Sequence, residues 1–93
     1  MKKGLIIKKE WLFKIFKNLK TWEMRSRKTK IRGKIYLIGS GSGTIVGECE
    51  LVDCHKVSKI EAIESFNKHG VEDLELLEKW CYAWHIDNVV EYE

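Results

Sequence analysis

The segment Lys20–Arg27 brings together the side chains of this sequence that are best suited to chemistry. Alternation along a strand puts four polar side chains on one face: Thr21, Glu23, Arg25 and Arg27. A lysine beside a threonine and a carboxylate can act as a general base or a nucleophile, so Lys20 and Glu23 are candidate catalytic residues. The alternative is that Glu23 and Arg25 only pair with each other on a solvated strand, where such pairs contribute little to stability.

The positive charge of the chain is concentrated in its first third. Residues 1–34 contain thirteen Lys and Arg and only two acids, a net charge of +11, whereas residues 35–93 carry −8. Three arginines fall within eight residues: Arg25, Arg27 and Arg32. Arginine suits phosphate, so we predict a basic face that binds nucleic acid and also includes Lys28. The alternative is a lysine-rich surface that the acidic remainder neutralises in space.

A glycine-rich turn, Gly39–Gly43, is a second candidate contact surface. Its permissive backbone could bring amide groups, Ser40 and Ser42 against a phosphate or a base. It is not a P-loop, because no Lys-Ser/Thr pair follows it. The alternative is a mobile hairpin turn with no ligand. The four tryptophans fit core positions, so Tyr36 is the best candidate among the aromatic residues for stacking on a base.

The cysteines and histidines predict neither a metal nor a cofactor. Cys49, Cys54 and His55 match no zinc-binding spacing. The three cysteines form no disulfide framework, which is typical of reduced cytosolic thiols. The three histidines fall in different elements, and we expect them at the surface or hydrogen-bonded within the fold. No apolar run approaches the length of a membrane span, so the sequence indicates a cytoplasmic protein with no membrane partner.

The periodicity of the apolar residues predicts one α+β domain over residues 1–93. Strands are predicted at 5–8, 21–27, 34–38, 44–54 and 82–90, and helices at 9–19, 58–70 and 72–81. The apolar stripe of the first helix extends to Leu19, and that of the second is formed by Ile60, Ile63 and Phe66. Gly47 predicts a bulge in the fourth strand, and Ser58 followed by Glu61 predicts the capped start of the second helix. Mostly antiparallel strands with helices at the side or end indicate an α+β domain or a partly closed barrel.

Five segments in this order and spacing resemble the ASCH domain. They are LIIK at 5–8 with Trp11, KTWEMR at 20–25, RGKI at 32–35, GTIVG at 43–47 and YAW at 82–84. The resemblance implies a small PUA-like β-barrel with an N-terminal helix and two helices before the last strand. It also implies RNA binding. Some members of the family hydrolyse N4-acetylcytidine and some cleave RNA, so the resemblance implies these two activities as alternatives.

Only part of the family's catalytic set has a counterpart in this sequence. Amidohydrolase-type members use a lysine, a threonine and a glutamate. Lys20 matches the lysine and Glu23 stands where those members have the threonine. The segment after Cys54 does not align closely enough with the family to place the glutamate. The implied pocket lies between the 20–27 strand and the 40–43 loop. There a carboxylate can accept from the exocyclic amine of cytosine, and an arginine can hold a phosphate.

Two functions therefore follow from the sequence. The favoured one is a module that binds RNA, a nucleotide or a modified pyrimidine nucleoside, with the alternative of a small hydrolase that uses Lys20. A protein-interaction module built on the acidic helices 59–81 is a third, weaker option. The chain ends at Glu93, where many relatives continue with a further strand, so barrel closure through a partner, as in a homodimer, is a further expectation.

Overall fold

The computed structural model describes residues 3–93, which form five strands and four short helices. In chain order these are β1 (Gly4–Ile7), α1 (Lys9–Phe16), β2 (Trp22–Arg25), β3 (Gly33–Gly39), β4 (Ile45–Lys56), α2 (Lys59–Glu64), α3 (Phe66–His69), α4 (Leu76–Lys79) and β5 (Tyr82–Glu91). Lys2, which contributes to the basic N-terminal third, lies outside the described residues.

The five strands form one mixed sheet with the order β1-β3-β4-β5-β2. β1 is parallel to β3, and the other neighbouring pairs are antiparallel. The sheet curls into a half-barrel, so its two edge strands approach each other across the open side. Arg25 of β2 donates from Nη2 to the carbonyl oxygen of Ile6 in β1 at 2.8 Å. This architecture confirms the predicted α+β class and PUA-like barrel.

Apolar side chains pack on both faces of the sheet. One cluster lies between α1 and the sheet: Leu5, Ile7, Leu12, Ile15, Ile35, Leu37, Cys49, Leu51 and Ile86. The other lies under α2, α4 and the loops beside them: Trp22, Met24, Val57, Ala62, Val71, Leu77 and Ala83. β2 contributes Trp22 and Met24 to the second cluster, so the residue between them, Glu23, faces the side that carries α1.

Gly47 lies at a break in the register of the sheet. Leu37 pairs with Gly47 and Ile38 with Ile45, which leaves one extra residue in β4 and confirms the predicted bulge. A Cβ at Gly47 would lie 2.5 Å from the carbonyl oxygen of Val90 and 2.9 Å from the ring of Phe16. Only glycine allows β5 and α1 to approach β4 this closely.

Helix α1 is shorter than the predicted 9–19. It ends at Phe16, and Asn18 adopts a left-handed conformation with φ 59°. The amide of Leu19 donates to the carbonyl of Lys14 at 2.8 Å, which turns the chain toward β2. Leu19, predicted on the apolar stripe, is instead 55% exposed.

The predicted helix at 58–70 is two helices, because Ser65 interrupts it. Its capped start is confirmed, since the Ser58 hydroxyl accepts from the amide of Glu61 at 3.1 Å. Gly70 ends the segment with φ 65°. The predicted helix at 72–81 is also shortened, to the four residues of α4. Three short helical segments therefore precede the last strand, where two were predicted.

The predicted apolar stripe of α2 and α3 is wrong. Ile60, Ile63 and Phe66 are 69%, 57% and 48% exposed. The buried residues of these helices are Ala62 and His69. A small side chain and a histidine fit the narrow space over β2, and the large apolar residues are left facing outward.

We predict that Gly47→Ala lowers the free energy of unfolding by about 2 kcal/mol, because the new methyl group must displace backbone and an aromatic ring. Urea denaturation followed by tryptophan fluorescence measures this. Glu50→Ala, at an exposed position of the same strand, is the control and should change stability by less than about 0.5 kcal/mol. Equal stability of the two variants would contradict the close approach at Gly47.

Candidate functional site

A cleft of about 390 Å³ lies between the two edge strands, where the half-barrel is open. Its lining comes from β1, β2, the start of α1, the turn after β3 and the α4 region: Ile6, Ile7, Lys8, Trp11, Lys20, Glu23, Met24, Arg25, Ser26, Ser40, Val71, Lys79 and Trp80. Four cations and one carboxylate are in this set. The cleft therefore combines positive charge with an aromatic wall.

Lys20 is buried at the base of this cleft, with 2% of its surface exposed. Its Nζ donates to the backbone carbonyl of His69 at 2.6 Å and lies 3.6 Å from Oε1 of Glu23. The ring of Trp11 lies 5.1 Å from the same nitrogen. Burial lowers the pKa of Lys20 to about 8, and the neighbouring Glu23 carboxylate opposes that shift without cancelling it. Lys20 is therefore a cation near neutral pH that loses its proton more easily than an exposed lysine.

His69 fixes the carbonyl that receives Lys20. Its Nε2 donates to the carbonyl of Ala62 at 2.6 Å, and its Nδ1 accepts from the amide of Val71 at 2.9 Å. Both ring nitrogens are thus used, which defines a neutral tautomer. Burial lowers the pKa of His69, consistent with that neutral form. Gly70 follows in the left-handed region, so the chain turns away directly after the Lys20 contact.

Glu23 lies between two cations, Lys20 just before β2 and Arg25 within it. It is 5% exposed, and its Oε2 accepts from Arg25 through Nη2 at 2.9 Å and through Nε at 3.0 Å. Arg25 also bonds the carbonyl of Ile6 and places its guanidinium 5.8 Å from the ring of Trp84. The charged face of β2 therefore points into the cleft and not into open solvent, because the opposite edge strand and α1 cover it.

The rim of the cleft adds two lysines and two tryptophans. Lys8 precedes α1, and Lys79 ends α4; both are exposed. Trp11 and Trp80 meet edge to face with ring centroids 6.4 Å apart. Exposed lysines can bind phosphate without a large desolvation cost, and the faces of half-buried indoles can stack on a flat base. Chemically, the cleft can hold an anion at its rim and a polar ring at its base.

Four of the nine residues predicted to bind a ligand line this cleft: Lys20, Glu23, Arg25 and Ser40. Five do not: Thr21, Arg27, Lys28, Arg32 and Ser42. Arg32 is held beside Asp53 at 3.6 Å. The Ser42 hydroxyl donates to the carbonyl of Gly39 at 2.9 Å, so it fixes the glycine-rich turn. Thr21 is exposed at the start of β2, where its backbone is bonded to Lys68 and Ile86.

Nine of the thirteen residues that line the cleft were not predicted from the sequence. Lys79 and Trp80 come from the acidic half of the chain, and Trp11 was assigned to the core although it lines the cleft. Tyr36, the predicted stacking residue, lies on β3 in register with Glu48, away from the cleft. Of these, only Trp11 carried a signal, since its place next to Lys8 and Lys9 gave the start of α1 an aromatic residue among cations.

Two histidines that the sequence leaves in separate elements form a cluster on the other face of the sheet. His55 Nδ1 lies 2.7 Å from His85 Nε2, and His55 Nε2 lies 3.0 Å from Oε2 of Glu61. Both rings pack against Trp22, with centroids 5.1 and 5.0 Å away. Burial and the neighbouring His55 lower the pKa of His85. This cluster connects β4, β5 and α2.

Within residues 3–93, no group of three or more His, Cys, Asp and Glu side chains is arranged to hold a metal ion. Cys49 is buried on β4, and burial raises the pKa of its thiol to about 12. The three cysteines are free. No helix in this part of the chain has the length and apolar character needed to cross a membrane.

We predict that the burial of Lys20 is visible in the pH dependence of stability. Its folded-state pKa is about 8 against an ordinary value of 10.5, so between these pH values the unfolded chain holds a proton that the folded chain has lost. Raising the pH through this window therefore stabilises the fold, by about 3 kcal/mol in total. The unfolding free energy of the wild type minus that of Lys20→Met should therefore rise by this amount from pH 7.5 to pH 10.5. Lys30→Met is the exposed control, and an equal trend in both variants would contradict the assignment.

The comparisons with known proteins agree with this geometry. Residues 5–93 match the ASCH domain family. Among solved structures, the chain is similar to a point mutant of ZmASCH from Zymomonas mobilis, with a TM-score of 0.78, 11% identity, and coverage of 97% of this chain and 71% of that chain. At this identity the likeness shows the fold. No curated protein of similar sequence was found. Because the family match spans all but the first four residues, this chain belongs to the ASCH domain family and has its PUA-like fold.

Proposed function

We propose that the cleft binds a single-stranded RNA segment or a pyrimidine nucleoside or nucleotide. The observation that carries this proposal is the buried Glu23 carboxylate held between Lys20 and Arg25 at the base of a cleft with aromatic walls. A site for a simple polyanion would gain nothing from a carboxylate, which repels phosphate. A nucleobase needs both an acceptor for its amino group and a cation near its carbonyl edge.

The charged residues at the base of the cleft and those at its rim would contact different parts of the ligand. Glu23 and Lys20 are buried and lie at the base, whereas Lys8 and Lys79 are exposed at the rim. A base stacked on Trp11 or Trp80 would present its polar edge to Glu23. Its phosphates would then lie at the rim, where Lys8, Lys79 and Arg25 neutralise them.

The size of the cleft favours one unpaired nucleotide. A volume of about 390 Å³ is at the small end of ligand pockets and leaves no room for a duplex. ASCH domains have a PUA-like fold associated with RNA binding, which agrees with this ligand class. The proposal includes a cytoplasmic location, where RNA and free nucleosides are available. It needs no homodimer, because one chain supplies the whole cleft.

We predict that the rim lysines control RNA affinity. Lys8→Ala and Lys79→Ala should each weaken binding of a short single-stranded RNA about three- to tenfold and reduce the steepness of its salt dependence, since each removes one phosphate contact. Fluorescence anisotropy over a range of salt concentrations measures both effects. Glu23→Gln should reduce the preference for cytidine-containing ligands.

Arg32→Ala and Lys17→Ala are matched controls, because each removes one exposed positive charge outside the cleft. These controls distinguish RNA binding in the cleft from RNA binding to the broad basic face predicted from composition. An equal loss in all four variants would favour the broad face. The absence of any binding at low salt would exclude both forms of the proposal.

The alternative function, hydrolysis of a modified pyrimidine such as N4-acetylcytidine, is favoured by one observation. The pKa of Lys20 is lowered to about 8 while its Nζ lies 3.6 Å from a carboxylate. A lysine in this state can supply a neutral amine as a base or a nucleophile. Glu23 replaces the threonine that amidohydrolase-type members use, and this departure favours binding over turnover.

If the chain is a hydrolase, we predict that turnover of N4-acetylcytidine rises with pH and levels off above about pH 8, where Lys20 becomes neutral. Lys20→Arg and Lys20→Ala should abolish turnover. An arginine stays protonated at these pH values, and the methyl group of alanine cannot act as a base or a nucleophile. Release of acetate, followed at several pH values, tests this. Activity that survives both substitutions in a folded protein would remove Lys20 from the chemistry.

A further inference from the structure

Two histidines and one glutamate form a hydrogen-bonded chain on the face of the sheet that carries α2. His55 of β4 lies between the other two residues. Its Nε2 is 3.0 Å from Oε2 of Glu61 in α2, and its Nδ1 is 2.7 Å from Nε2 of His85 in β5. These three side chains do not line the cleft, so binding of a ligand there does not account for them.

The positions of the hydrogens in this chain follow from the groups themselves. A carboxylate only accepts, so the hydrogen between His55 and Glu61 belongs to Nε2 of His55. In the neutral ring, Nδ1 of His55 then has no hydrogen and accepts from Nε2 of His85. Of the four ring nitrogens, Nδ1 of His85 is the one that the chain leaves available to a proton.

The closed chain can take up only one proton. With a charge on both rings, the two facing nitrogens would each carry a hydrogen, and a separation of 2.7 Å has room for one. Even the first proton is resisted. Burial and the neighbouring His55 lower the pKa of His85, and Lys68 of α3 adds to this effect, whereas Asp53 and Glu61 oppose it without cancelling it.

The neighbouring elements hold these charges in place. The ammonium of Lys68 lies 5.1 Å from the ring of Trp22, and that ring packs against both histidines. Asp53 is the strand partner of His85, but its carboxylate is also 3.6 Å from Arg32. His85 therefore faces one cation and one carboxylate that is shared with a second cation, which makes further positive charge unfavourable.

An opened chain has no such limit. Once α2 separates from the sheet, both rings meet water, where histidines take up a proton near pH 6.5. In acid the open state then holds at least one proton more than the closed state, so a falling pH favours opening. This is the behaviour of a histidine whose folded-state pKa is lowered. Its contribution to stability is present above pH 6.5 and is lost as the pH falls below it.

We propose that the Glu61–His55–His85 chain is an acid-sensitive latch, which holds α2 on the sheet at neutral pH and releases it in acid. Release would also reach the cleft. The carbonyl oxygen of Ala62 in α2 accepts from Nε2 of His69, and the carbonyl oxygen of His69 accepts from Lys20, both at 2.6 Å. When α2 leaves, the His69 ring loses this acceptor, and the carbonyl that holds Lys20 is no longer fixed.

The experiment is an NMR titration of the protein without ligand from pH 7.5 to pH 5, so its result does not depend on RNA binding. Ring signals follow each histidine, and amide hydrogen exchange, corrected for its intrinsic pH dependence, follows α2. Protection of the α2 amides should fall about tenfold per pH unit below about pH 6, as uptake of one proton requires. Protection of α1 should stay constant. The amides of residues 69–71 should shift with the midpoint of His85 and not with that of His69.

Two variants distinguish a latch from simple packing. His85→Gln keeps an N–H donor where Nε2 lies but takes up no proton, so α2 should stay protected down to pH 5. Glu61→Gln keeps an acceptor for His55 and removes the negative charge that favours protonation, so the midpoint of His85 should move to lower pH. Glu64→Gln, at an exposed position of the same helix, is the matched control and should leave this midpoint unchanged.

Three results would overturn the proposal. The first is wild-type α2 that stays protected down to pH 5. The second is an equal loss of protection in the wild type and His85→Gln, which would assign the effect to His69, whose pKa burial also lowers. The third is an equal loss in α1 and α2, which would indicate global unfolding. Shifts that stop at α2 and do not reach residues 69–71 would contradict the link to the cleft.

Discussion

The burial of one lysine organises the functional half of this molecule. Lys20 is 2% exposed, and a charged amine in such a place is costly unless other groups replace the lost water. Three groups do so: the carbonyl of His69, the carboxylate of Glu23 and the ring of Trp11. Each must be held by its own support, so the tautomer of His69, the turn at Gly70 and the clamp of Arg25 on Glu23 are parts of one arrangement.

This arrangement also closes the half-barrel. β1 and β2 are the two edges of the sheet, and no backbone ladder joins them. Arg25 connects them instead, because its guanidinium bonds Glu23 within β2 and the carbonyl of Ile6 across the gap. A side-chain bridge leaves open space that a further strand would fill. The cleft is thus a direct consequence of how this sheet closes, and its base is polar because the bridge is ionic.

The two faces of β2 have different roles. Glu23 and Arg25 face the cleft, whereas Trp22 packs beside the His55–His85 pair under α2. α4 borders two concave surfaces: Leu77 and Glu78 line a groove of about 670 Å³ between α2 and α4, and Lys79 lines the cleft. The short α4 makes the two surfaces neighbours although they share no side chain.

The sequence by itself determined the strands, the capped start of α2, the bulge at Gly47 and the clustering of Lys20, Glu23 and Arg25, because these depend on periodicity and on contacts within a few residues. Only the tertiary structure decided the rest. Lys79 and Trp80 join the cleft through a fold that brings residue 80 to residue 11, which no local pattern encodes. His55 and His85 meet through strand pairing, and the alternation of Glu23 with Trp22 could not show which face would be covered. Long-range packing sets burial, and burial sets the pKa of Lys20 and the exposure of Ile63, so these properties lay beyond local sequence reasoning.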